Sequence, residues 1–209
     1  MLKTTVKNPA RFGAISKALI VYSVLREYVN HPLAFLVGTA LTVGRFKKRL
    51  PKDIPNDFVE LFAFPTWIYM RLKERMGQEE AFALARAIII PLGVAVYGAE
   101  FCLVEAPRTW NNFIDFVEIS NRQGAIRWSK VEMDERTETL YEYRCTFCMI
   151  HHFLSKLGIP ELTEPFCTLD NALYNAYLPN EIIFHRGGKG KTIEKGQPFC
   201  KFIHERKIQ

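Results

Sequence analysis

Acidic side chains are almost missing from the first quarter of this 209-residue chain. Residues 1–52 hold Glu27 alone against ten lysines and arginines, a balance of +9, while the rest of the chain balances at −3. The basicity is therefore local. Aliphatic residues interleave the charges and no recognition motif accompanies them, so nucleic acid is not expected as a partner. A basic, apolar leading segment suits an anionic membrane surface, or packs its apolar faces on the rest of the fold. Long apolar runs are missing too. The run 18–25 ends at Arg26-Glu27 with no small-residue cleavage site after it. The run 33–43 is about half of what a bilayer requires. The run 87–104 contains Pro91 and Glu100 and reads as a buried helix. A cytoplasmic protein, peripheral to a membrane at most, is the expectation. Glycine (12), proline (11) and cysteine (5) are too few for a collagen or a disulfide scaffold. Internal repeats and low-complexity segments are absent.

What is present is the balance of a globular chain, 48% hydrophobic and 24% charged, with 16 phenylalanines that suit a thick interior or a lipophilic pocket. Apolar residues recur three and four apart over 9–30 (Phe12, Ile15, Leu19, Tyr22, Leu25), which predicts a helix broken at His31-Pro32. A short helix follows to Val43, with Gly44 as its stop. Pro51 and Pro55 bracket a linker, and Asn56 or Asp57 can N-cap the next helix, which Gly77 ends. Residues 78–104 form a long helix kinked at Pro91, and residues 109–122 another. At Gly124 the period changes. Residues 126–133 and 138–144 alternate like strands joined by a turn at 134–137. Short helices at 147–157 and 169–177 precede strands at 181–186 and 198–205. The fold class is α+β, with a helical N-terminal layer followed by a small antiparallel sheet with short inserted helices. Residues 1–50 are a basic, apolar helical segment, and 51–209 a single α+β domain.

Chemistry concentrates in the last third. Cys102 lies in an apolar helix and reads as a small buried hydrophobe. Cys145, Cys148, Cys167 and Cys200 all fall near predicted element boundaries, and a cytosolic chain seldom makes structural disulfides. Their grouping points to zinc, an iron–sulfur cluster or catalysis. Cys145-x2-Cys148 is the strongest local piece, since that spacing lets two thiolates face one ion. The other spacings fit no standard zinc ribbon or ferredoxin run. His151 could face the side of Cys148, although a half-buried helix histidine is the blander reading. Asp170 follows Cys167 by three residues, which on a helix brings carboxylate and thiol together. A first-turn helix acid is the competing reading. The turn from Gly187 to Thr192 is not a phosphate loop, because His185 stands where the first glycine belongs and no helix is expected after it. Glu100 and Glu105 read as a helix rim.

One longer string carries a resemblance. Cys145, His152, Leu157-Gly158-Ile159-Pro160-Glu161-Leu162, Phe166-Cys167 and Asp170, then Phe184, Arg186, Thr192-Ile193, Gly196, Cys200 and Phe202, resemble the L-2-amino-thiazoline-4-carboxylic acid hydrolase family. The resemblance runs from Arg144 to Phe202. It implies a polar set of Cys145, Cys167, Asp170 and Cys200, with Arg186 as an anion contact. Thr146-Phe147 and Cys148 depart from the pattern, which leaves three thiolates plus Asp170, or four thiolates, as alternatives.

The resemblance implies an enzyme that hydrolyses a C–N bond in a small heterocyclic or amide-like substrate. Cys145 is the first candidate for nucleophile or ligand, because it ends a strand at the sheet edge. Asp170 would move the proton and Arg186 would hold a substrate carboxylate. Cys145, Cys148, Cys167 and Cys200 are the candidate metal ligands. Two other readings stand beside it: a cyclase or isomerase for a lipophilic intermediate, and a non-catalytic zinc or iron–sulfur module. Composition leaves the oligomeric state open.

Overall fold

The computed structural model describes residues 14–100, 107–124 and 126–207. Contacts divide the described residues into two compact units, one within 14–93 and the other within 94–207.

The first unit is helical: α1 (Ala14–Tyr28), α2 (Pro32–Lys47), α3 (Asn56–Met76) and the start of α4 (Gln78–Glu100). His31 adopts a left-handed conformation (φ 56°) and Pro32 opens α2, so the expected break is a tight joint between two helices. Gly44 does not stop α2. The helix continues one turn to Lys47 and thereby buries Phe46, which stacks on Trp67 at 4.9 Å. Tertiary packing of that ring outweighs the weak helix propensity of glycine. Asn56 is the first helical residue, not the cap. Pro55 stands at the cap position, and Asp57 lies in the first turn, where a carboxylate favours the helix N-terminus. Gly77 (φ 85°) ends α3 as its freedom at positive φ requires. Between α2 and α3, the Trp67 indole donates to Thr42 Oγ1 at 2.9 Å and Arg71 donates to the fully buried Thr39 at 2.8 Å. The helix α4 carries Pro91 internally. Phe12, Cys102 and Glu105 lie outside the described residues. Among the described residues, no helix is long and apolar enough to cross a membrane.

In the second unit, α5 (Trp110–Gln123) is capped by Thr109, whose hydroxyl accepts from Asn112 N. Then come β1 (Lys130–Arg136), β2 (Leu140–Phe147), α6 (Met149–Lys156), a 3-10 turn (Pro160–Leu162), α7 (Thr163–Tyr177), β3 (Ile182–His185) and β4 (Cys200–Arg206). The sheet is antiparallel throughout, in the order β1-β2-β4-β3. The hairpin lies later than its apolar pattern predicts. Residues 126–129 form a turn, with Ser129 N donating to Ile126 O, and the connection is at Thr137, whose hydroxyl accepts from Leu140 N. The expected edge position of Cys145 is also corrected. The strand β2 lies between β1 and β4, so Cys145 sits on an interior strand, two residues before its end. The exposed strand β1, rich in charge, takes the edge instead.

One sheet face is the core of this unit. Along β2 burial alternates through Tyr141, Tyr143 and Cys145, and β4 contributes Cys200, Phe202 and His204 to the same face. Helices α5 and α7 close over it with Phe113 and Tyr174, whose rings lie 5.1 and 4.8 Å from that of His204. His204 is fully buried, and burial lowers its pKa to about 3, so it packs as a neutral ring.

Candidate active site

Helix α7 begins at Thr163, a turn and a half before the Leu169 start expected from sequence, because the 3-10 turn opened by Pro160 feeds directly into it. The earlier start places Thr163, Cys167, Asp170 and Tyr174 at spacings of four, three and four, one face of one helix. All four line a cavity of about 80 Å³. A single water needs only about 10–15 Å³ on this measure, so the space suits a small organic molecule.

The sheet supplies two further walls. Cys145 on β2 and Cys200 on β4 are direct cross-strand partners, so their side chains share a face, and both line the cavity. Cys148 caps α6, its sulfur accepting from His151 N at 3.4 Å, and borders the same space. Arg186, one residue beyond β3, completes the group. The structure thus gathers Cys145, Cys148, Cys167, Asp170, Arg186 and Cys200 around one cavity. Among the described residues, no three His, Cys, Asp or Glu side chains are grouped as they would be around one ion.

The electrostatics centre on Asp170 and Arg186, which form a hydrogen-bonded ion pair. Arg186 keeps 9% of its side chain exposed and lies over the Phe202 ring at 4.1 Å. One Nη group is spent on Asp170. The buried Nε and Nη1 have no hydrogen-bond partner among the described residues. Burial raises the Asp170 carboxyl to about 6 even though Arg186 pulls it down. The 24% of its side chain that remains accessible borders a cavity with largely apolar walls, so desolvation prevails.

Burial likewise raises every cavity thiol. Cys145 is pushed up to about 12 and Cys148 to about 11, and Cys200 is raised as well. Cys167 is raised by burial too, with Arg186 the leading opposing influence. Three of these sulfurs are engaged with backbone: Cys145 donates to Phe147 O, Cys148 accepts from His151 N, and Cys200 accepts from Ile193 N. The Cys167 sulfur has no hydrogen bond among the described residues. Cys167 and Arg186 also border a second, more open cleft of about 380 Å³ under the turn that follows β3. They stand where the cavity and the cleft meet.

Sequence reading missed Thr163 and Tyr174. Thr163 Oγ1 lies 3.2 Å from His151 Nδ1, and the Tyr174 hydroxyl lies 3.4 Å from that of Tyr143. The signal was the four-three-four spacing, which a helix start at Leu169 conceals. The family model described as L-2-amino-thiazoline-4-carboxylic acid hydrolase matches residues 59–204. The chain belongs to this family. Membership extends well upstream of the Arg144–Phe202 string, back into α3, so the family pattern includes helices whose sequence is unremarkable by itself. Neither a curated protein nor a solved structure matches the chain.

Proposed function

We propose that the protein hydrolyses a C–N bond of a small heterocyclic, amidine-like carboxylate bound in the cavity beside Asp170. The observation that carries this reading is the buried Asp170–Arg186 pair, whose arginine has two spare N–H groups at the cavity. A substrate carboxylate would accept hydrogen bonds from Arg186 Nε and Nη1, a charge-assisted contact that fixes the ring's orientation. Asp170, ionised above about pH 6, would take the proton from the attacking group and return it to the leaving nitrogen. Cys167 is the thiol best placed to attack, being one helical turn from Asp170 with its sulfur free of hydrogen bonds among the described residues. Its bond to the substrate carbon would form as the C–N bond breaks, and a water deprotonated by Asp170 would then cleave that C–S bond, the proton returning to sulfur. Cys145, favoured from sequence, has its thiol hydrogen engaged with Phe147 O. Either thiol would need Asp170 as base, because burial keeps both protonated.

The test is turnover of 2-aminothiazoline-4-carboxylate by the wild type, Asp170→Asn and Arg186→Lys. Asp170→Asn should lower kcat about a hundredfold or more with KM little changed, the usual scale for losing a general base. Arg186→Lys should chiefly raise KM, since an ammonium cannot reproduce the planar fork. Full turnover by Asp170→Asn would end the reading. A second reading, a cyclase or isomerase for a lipophilic intermediate, draws on the apolar walls that Phe116, Phe166 and Phe202 provide. It takes over if apolar cyclic compounds bind and the thiazoline carboxylate does not.

A further inference from the structure

We infer that the outer face of α2 is a docking surface for an anionic lipid bilayer. The helix has no acidic residue. Phe35, Thr39 and Phe46 are buried in the helical unit. On another side, Leu33, Val37, Leu41, Arg45 and Lys48 follow one another at helical spacing and form one stripe. Its apolar members are 62%, 58% and 80% exposed. So much exposed aliphatic surface on one short helix is unusual for a protein surrounded only by water.

Charge decides the partner. Lys17, Arg26, Arg45, Lys48, Arg49 and Lys52 are all exposed, and none is in an ion pair among the described residues. Glu27 is the single acid of residues 1–52, and Lys47 of the same helix is paired with Glu60 of α3. A second copy docking on this face would bring two strongly positive surfaces together, which opposes self-association. Nucleic acid would find an aliphatic stripe where stacking rings are wanted. A bilayer carrying anionic headgroups meets both features at once. The stripe of a helix about 24 Å long lies along the headgroup boundary, and the cations engage lipid phosphates and carboxylates.

The experiment uses the full chain and two vesicle preparations, phosphatidylcholine alone and phosphatidylcholine mixed with phosphatidylserine. Co-sedimentation is expected with the mixed vesicles, weakening as salt is raised, and not with phosphatidylcholine alone. Arg45→Gln with Lys48→Gln should weaken binding about fivefold for each charge removed. Val37→Asp with Leu41→Asp should abolish it. These side chains are exposed, so circular dichroism and melting should be unchanged, separating lost docking from lost folding. Equal binding to both vesicles, binding indifferent to these substitutions, or a stable dimer that Val37→Asp disperses would each overturn the inference.

Discussion

Replacing Arg186 by methionine removes the countercharge of Asp170 while keeping most of the side-chain volume beside Phe202. The consequence can be worked from the pair itself. In the wild type the Asp170 carboxyl is raised from 3.8 to about 6, so ionising it in the folded state already costs about 3 kcal/mol at 1.36 kcal/mol per unit. A carboxylate raised on folding leaves the native state most stable below the unfolded value. That stability is lost as pH rises toward the folded value and is constant above it. Arg186 is the influence holding the carboxyl down, so Arg186→Met should raise it further. The wild type and Arg186→Met should then lose stability in parallel from about pH 4 to pH 6. Above pH 6 the variant should go on losing up to about 1.4 kcal/mol per pH unit while the wild type levels off. At neutral pH breaking the pair should cost about 3–5 kcal/mol, and Asp170→Asn should also destabilise by leaving a buried guanidinium without a countercharge. The double variant Asp170→Asn/Arg186→Met removes both charges and should recover most of the loss. Urea unfolding of the four proteins at pH 5, 6, 7 and 8 measures all of this without a substrate. Additive losses within about 0.5 kcal/mol, or an Arg186→Met penalty that does not change above pH 6, would refute the reasoning.

Three further outcomes follow from the same structure. Activity on the thiazoline carboxylate should rise with pH through about 6, as Asp170 becomes ionised and able to accept a proton, and pH–rate profiles would show a flat line if it is not the base. Iodoacetamide followed by peptide mass mapping should label Cys167, which borders the open cleft, before Cys145, with both slow at neutral pH because burial keeps the thiols protonated; the reverse order would return the nucleophile to Cys145. Gly44→Ala should stabilise the protein by about 1 kcal/mol, since Gly44 sits exposed within α2 and an added methyl group would meet nothing within 4 Å, and thermal melting that shows no gain would mean the helix is not continuous there.

Local pattern was enough for some of this protein and not for the rest. The helices around residues 14–92, the joint at His31-Pro32, the stop at Gly77 and the change to strands after Gly124 are all legible, because each rests on neighbouring residues. So is the pairing of Cys167 with Asp170, since three residues of helix bring two side chains together whatever surrounds them. The family string lies within the matched residues 59–204 and is legible for the same reason. Only the tertiary structure decided that β4 returns to pair with β2. That pairing makes β2 an interior strand, moves Cys145 away from the edge, and sets it directly across from Cys200. Strand order depends on which distant segments bury one another's apolar faces, and no local spacing encodes it. The early start of α7 was decided in the same way, and with it the places of Thr163 and Tyr174. Packing carried Phe46 past a glycine that should have ended α2. The spare N–H groups of Arg186 also belong to the assembled fold, because they depend on every wall of the cavity and not on the residues beside Arg186 in the chain.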